Sequence, residues 1–145
     1  MIKTAGSGYT LKIVVIDVNG FAVAGVTSST FSVAVGPIFK LQFYVAIGSA
    51  IGGQLINPDP RVSVVDRGGN VVTGITGATC SAYLSQSPTS TEILYPLIRV
   101  PAIFESGIAT FTGFYINKAG FPYQISFNAS TTGVRFSRCI VICID

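Results

Sequence analysis

The chain has 145 residues, of which 10% are charged, whereas a soluble domain usually carries about 25%. The length predicts one domain with a short appendage, and a hydrophobic fraction of 49% excludes intrinsic disorder. Because the sequence contains no His, it offers no Ser–His or Cys–His nucleophile pair. The net charge of +3 is scattered and forms no basic stripe, so we expect no nucleic-acid partner.

The local sequence patterns predict strands along the whole chain. Short alternating apolar runs are separated by Gly-, Pro- and Asn-rich breaks such as Asn19-Gly20 and Gly52-Gly53. Although the stretch from Val18 to Phe39 is uncharged, its turn residues argue against a membrane-spanning helix. The pattern predicts an all-β, antiparallel sandwich, and these residues are expected in its core: Val62, Val64, Ala82, Leu84, Phe111, Ile125 and Phe127.

One turn is informative in detail. Asp66 to Asn70 joins two β-branched runs, and Asp, Gly and Asn are the residues that form tight hairpin turns. Calcium binding by Asp66 and Asn70 is the functional alternative. Because calcium takes six or more oxygen ligands and no second carboxylate lies nearby in sequence, the structural turn is the favoured interpretation.

The sequence contains an internal repeat. Ile2, Ala5, Gly6 and Tyr9 recur in the same order 114 residues later, the last as Tyr123. After each copy comes a second apolar strand, Val26 to Val35 in the first and Val134 to Cys143 in the second. Residues 1–36 are therefore interpreted as a spare copy of the final hairpin, and residues 37–145 as a complete unit.

The complete unit resembles the tandem immunoglobulin-like repeats of large extracellular proteins: fibrocystin-like surface proteins, bacterial adhesins, and algal or protist fibre proteins. The resemblance rests on three motifs: Pro60 to Val71 with its D-x-x-G-N turn, Gly107 to Phe111, and Ala119 to Ile125. It implies an immunoglobulin-like antiparallel β-sandwich with an extra N-terminal pair of strands. It carries over no catalytic residue, because the motifs form turns and core.

Three cysteines and one sequon are the remaining candidates for covalent chemistry. The immunoglobulin-like resemblance implies a Cys80–Cys139 disulfide between facing sheets, and the alternative is two small buried hydrophobic residues. Cys139 and Cys143 lie too far apart along one strand to bridge each other. Asn128 begins the only N-x-S/T sequon, so it is the candidate for a covalent glycan; no other cofactor is expected.

These patterns favour a structural function and no enzymatic activity. The expected protein is an extracellular or cell-surface filament subunit or repeat, assembled head to tail as a homopolymer of identical subunits or as a tandem array. A carbohydrate- or surface-binding adhesin module is the alternative, although Trp, which is common in sugar sites, is absent. The unpaired N-terminal strands are expected to dock on a neighbour by strand addition, through Tyr9, Leu11, Ile13, Val15, Phe31, Val33 and Val35.

Overall fold

The computed structural model describes residues 1–48, 50–96, 100–131 and 134–141, with residues 100, 131 and 134–141 described as backbone alone. The described residues form strands and turns and no helix. The thirteen strands are β1 (Gly6–Tyr9), β2 (Lys12–Ile16), β3 (Ala22–Thr27), β4 (Phe31–Val33), β5 (Ile38–Val45), β6 (Arg61–Asp66), β7 (Thr79–Gln86), β8 (Leu94–Tyr95), β9 (Val100–Glu105), β10 (Ile108–Thr110), β11 (Tyr115–Ile116), β12 (Gln124–Thr131) and β13 (Val134–Val141).

Seven strands form one antiparallel sheet in the order β13-β12-β7-β9-β10-β6-β5. The two end strands of this order, β5 and β13, also contact each other, so the sheet curls around a single interior. The predicted all-β, antiparallel class is therefore confirmed. Hydrogen bonding is continuous across the seven strands, because the short strand β10 pairs with both β9 and β6.

The core holds a cluster of aromatic rings. Phe127 makes edge-on contacts with Phe43 and Phe111, at ring-centroid distances of 5.5 and 5.1 Å. Six of the seven predicted core residues are buried, and Leu84 is half-buried and packs against them. Alternation in β7 and β12 thus predicted their inward faces correctly.

Strand β6 departs from the predicted alternation, because both of its faces are buried. Ser63, which alternates with the core residues Val62 and Val64, is 2% exposed, and its hydroxyl donates to the Gln42 carbonyl oxygen at 3.2 Å. Val65 is also buried, and its backbone pairs with that of Val71. The strand lies between β5 and β10, and the chain after its turn folds back over it.

The first 36 residues, which we call the arm, form a long two-stranded ribbon. Strand β1 pairs with β4, and β2 pairs with β3, both antiparallel. The register shifts once within each pair, between Gly6 and Tyr9 and between Val15 and Ile16. Where the two pairs meet, Ser28 donates its backbone N–H to the Leu11 carbonyl oxygen. The arm therefore leaves the seven-stranded sheet as one hairpin with its tip at residues 17–21.

Candidate functional site

The arm exposes apolar side chains on both faces. Ile13 and Val15 on one face are 55% and 56% exposed, and Val14 and Ile16 on the other are 41% and 61% exposed. Two members of the predicted docking set, Tyr9 and Phe31, contact each other, with ring centroids 6.0 Å apart. A two-stranded ribbon is marginally stable alone, and exposed apolar patches commonly mark interaction surfaces. The arm is thus the first candidate functional site.

The tip of the arm and the turn after β6 have the same geometry. In each turn an aspartate Oδ1 accepts the backbone N–H groups two and four residues later: Asp17 at 2.9 and 2.9 Å, and Asp66 at 2.8 and 2.9 Å. Three residues after each aspartate stands a glycine, Gly20 or Gly69, with a φ angle of 87° or 91°, a conformation that favours glycine. The sequence predicts a break at Asn19-Gly20, but the likeness of this turn to the Asp66 turn was not predicted, although the two share the spacing D-x-x-G.

The second of these turns also holds the root of the arm. The Asn70 Nδ2 donates to the Lys3 carbonyl oxygen at 2.7 Å, and the Ala5 backbone N–H donates to Asn70 Oδ1 at 2.9 Å. A Cβ on Gly68 would overlap the Lys3 carbonyl oxygen, so this close approach requires glycine. These contacts join residues that are at least 65 positions apart in sequence. We call the contact of residues 3–5 with residues 66–70 the arm joint.

Electrostatics make the Asp66 carboxylate a structural group. The Asp66 carboxylate accepts hydrogen bonds from the Asn70 side chain at 2.9 Å and from the Gly36 backbone N–H at 2.8 Å. These bonds lower the pKa of Asp66 to about 2, although burial alone would raise it. Its oxygens accept N–H donors from three residues, which leaves them poorly placed for a cation. The described residues contain no group of three or more metal-ligating side chains. The hydrogen bonds that these oxygens accept favour the turn interpretation.

Two tyrosines form the same corner at equivalent positions of the repeat. The Tyr9 hydroxyl donates to the Thr4 carbonyl oxygen at 3.0 Å, and the Tyr123 hydroxyl donates to the Lys118 carbonyl oxygen at 2.9 Å. Both bonds reach back five residues. The glycine three residues before each tyrosine lies against its ring, where a Cβ would come within 3.3 Å or less of the hydroxyl oxygen. The arm and the final hairpin therefore share local structure as well as sequence.

The equivalent positions differ in burial. In β12, the side chains that follow Tyr123 on the inward face are 0–3% exposed: Ile125, Phe127 and Ala129. Their counterparts in the arm are 55–56% exposed: Leu11, Ile13 and Val15. Strand β12 pairs with β7 on one edge and β13 on the other, whereas the described pairing of β2 is with β3 alone. In the part of the chain that the structure describes, the arm is a hairpin of the same kind that no further strand or core covers.

The cysteine prediction needs correction. Cys80 is a buried free thiol, and burial raises its pKa to about 12. Its backbone pairs with Ala129, and that of Cys139 pairs with Ser126, so both cysteines lie in one sheet with β12 between them. Two strand spacings amount to roughly 9–10 Å, beyond a disulfide's usual Cα–Cα reach of about 7 Å. Cys143 lies outside the described residues.

Asn128 lies in the middle of β12, half-buried, with Ser81 and Ser137 as its register partners. It occupies the face opposite to Phe127 and Ala129. Its glycosylation stays a prediction.

Two further features of the described chain are a hydrogen-bonded glutamate, Glu92, and a groove beside residues 74–79. The Glu92 side chain accepts hydrogen bonds from the Thr89 hydroxyl and backbone N–H, and chiefly the hydroxyl lowers its pKa to about 2. A groove of about 680 Å³ beside residues 74–79 and Ser130 has no titratable side chain in its described lining. Glu92 therefore fixes the loop before β8.

Comparisons with protein-family models, with curated proteins and with solved structures gave no match. Within the described part of the chain, no helix has the length and apolar character needed to cross a membrane.

Proposed function

We propose that the protein is a structural unit of an extracellular filament, assembled head to tail, in which the arm is covered by a neighbouring unit of the same kind. The observation that carries this proposal is the difference in burial between equivalent positions. Ile13 and Phe127 occupy matching places in the two hairpins, yet Ile13 is 55% exposed and Phe127 is fully buried.

The exposed apolar side chains and free strand edges of the arm favour binding of a partner there. Fully burying one large aliphatic side chain contributes about 1.5–3 kcal/mol, and the arm leaves a whole face of such residues in water. Its free strand edges also present backbone groups that pair readily with another strand. A second copy of this chain is the proposed partner, because β12, the equivalent of β2 in the repeat, is covered by residues of this same chain. The contact joins two different surfaces, so it need not close into a ring, and the proposal is that it extends into a line.

The extracellular location follows from the resemblance to tandem immunoglobulin-like repeats and remains part of the proposal. The low charge of the chain suits a protein whose surface is covered by neighbours or by glycans. A role in scaffolding rather than catalysis agrees with carboxylates that are engaged in turns, as at Asp66 and Glu92.

Sedimentation velocity across a range of protein concentrations tests this function. The wild-type chain is expected to sediment as species larger than the 15.2 kDa monomer. Ile13→Asp should give monomers, because a buried carboxylate opposes the contact. Ile103→Asp is the matched control, since Ile103 is 62% exposed on β9 and should leave assembly unchanged. A wild-type chain that remains monomeric, or equal effects of the two substitutions, would contradict the proposal.

A further inference from the structure

The arm joint shows how a tyrosine corner binds the turn after β6. The Asn70 side chain bridges two backbone groups of the arm corner, the Lys3 carbonyl oxygen and the Ala5 N–H. Gly68 allows the corner to lie directly on the turn. Because the captured groups belong to the backbone, the turn recognises the shape of the corner rather than its side chains.

The chain carries a second corner of that shape. Residues 117–123 repeat the arm corner, with the same tyrosine-to-carbonyl hydrogen bond and the same glycine beneath the ring. Asn117 and Ala119 hold the positions of Lys3 and Ala5 in the repeat. Lys118 and Ala119 are exposed, with Gly52 packed against one side of their peptide.

The two surfaces lie at opposite ends of the unit. Strand β6 runs from Arg61 to Asp66, and the arm joint lies at its Asp66 end. The loop that precedes β6 hydrogen-bonds residues 114–116, through Gly53 to the Ile116 carbonyl oxygen and Ile56 to the Phe114 carbonyl oxygen, both at 2.7 Å. Residues 114–116 lead into the second corner, which therefore lies at the Arg61 end. Six extended residues separate the ends by roughly 17–20 Å.

The end that carries the second corner is also apolar at its surface. Ile51 and Leu55 are each 65% exposed, and Phe121 is 60% exposed. These side chains belong to the two loops that meet there, residues 51–56 and 117–123. Exposed apolar side chains gathered around a recognisable backbone motif mark this end as an interaction surface.

From these observations we infer that the corner at residues 117–123 is a docking surface for a second copy of this unit, joined in tandem. The Asn70 side chain of the following copy binds the Asn117 carbonyl oxygen and the Ala119 N–H, and its Gly68 lies against the corner. The arm joint is the same contact, made within one chain by the arm corner. This inference rests on the proposed head-to-tail function and names the surfaces that meet.

A tandem protein tests the joint: residues 1–143 followed directly by residues 36–145. The second unit is expected to fold without an arm of its own, because no arm residue belongs to the hydrophobic core or to the half-buried residues packed against it. Nuclear magnetic resonance follows amide hydrogen exchange at Ala119 of the first copy. Asn70→Ala in the second copy should accelerate this exchange about fivefold, the effect of one hydrogen bond.

The same substitution in the first copy is the matched control. There it should accelerate exchange at Ala5 and leave Ala119 unchanged. A second variant pair checks the result: Gly68→Ala in the second copy should also expose Ala119, whereas Gly74→Ala, where a Cβ meets no atom within 4 Å, should not. If neither second-copy variant changes the rate of amide exchange at Ala119 of the first copy, the proposed contact between the units is wrong.

The two proposals fail separately. A single chain that stays monomeric at all concentrations overturns the proposed assembly of separate copies and leaves the tandem result intact. A tandem protein whose first-copy Ala119 is insensitive to the second copy overturns the joint, even where single chains assemble through their arms.

Discussion

Truncating matched positions in the two hairpins should have very different effects on stability. Phe127 is fully buried and makes two edge-on aromatic contacts, so Phe127→Ala should lower the free energy of unfolding by about 3–5 kcal/mol. Ile13 is 55% exposed in the single chain. Ile13→Ala removes three carbons worth about 0.8 kcal/mol each when fully buried, so less than half of that sum, about 1 kcal/mol, is at stake in the arm.

Urea unfolding followed by far-ultraviolet circular dichroism measures both effects, since the chain has no Trp for fluorescence. With a denaturant slope of about 2 kcal/mol/M, Phe127→Ala should lower the midpoint by about 2 M. Ile13→Ala should leave the midpoint of the main transition nearly unchanged in dilute solution. In assembled material it should instead weaken association by about tenfold or more. Equal shifts of the midpoint for the two variants would refute the reasoning that the arm lies outside the core.

Three further outcomes are expected from particular groups. The pKa of Asp66 is lowered from its ordinary 3.8 to about 2, so its carboxylate stabilises the fold above pH 3.8. This stabilisation is lost as the pH falls to about 2. A carbon-13 titration of Asp66 with a midpoint at or above 3.8 would disprove this. Cys80 should resist alkylation at pH 8 until the protein is unfolded, as peptide mapping by mass spectrometry would show, because burial raises its pKa to about 12. Deleting residues 1–36 should abolish assembly while the dichroism spectrum stays β-rich; filaments formed by the shortened chain would argue against the arm.

Local patterns predicted the all-β class and most of the core, but the predicted strand from Val26 to Val35 is divided between β3 and β4. Period-two alternation identified the inward faces of β7 and β12, and spacing alone identified the turn at Asp66. The repeat also led to Tyr9 and Tyr123, whose matching corners the structure shows. These features depend on neighbours within a few residues, so the sequence carries them directly.

Long-range contacts were not predictable from the same patterns. Nothing local indicates that Asn70 binds Lys3 and Ala5, since the partners are more than 60 residues apart. The Cys80–Cys139 pairing was wrong because it assumed facing sheets, and only the strand order shows β12 between them. Burial of Ser63 likewise depends on how the chain folds over β6.

Hydrogen exchange along the arm tests the central claim most directly. The outward-facing amides of Lys12–Ile16 should exchange rapidly in dilute single chains and become protected as concentration rises, because a second copy then covers that edge. The protection should disappear in Ile13→Asp and persist in Ile103→Asp. Assembled material in which these amides still exchange as fast as in the single chain would contradict the account.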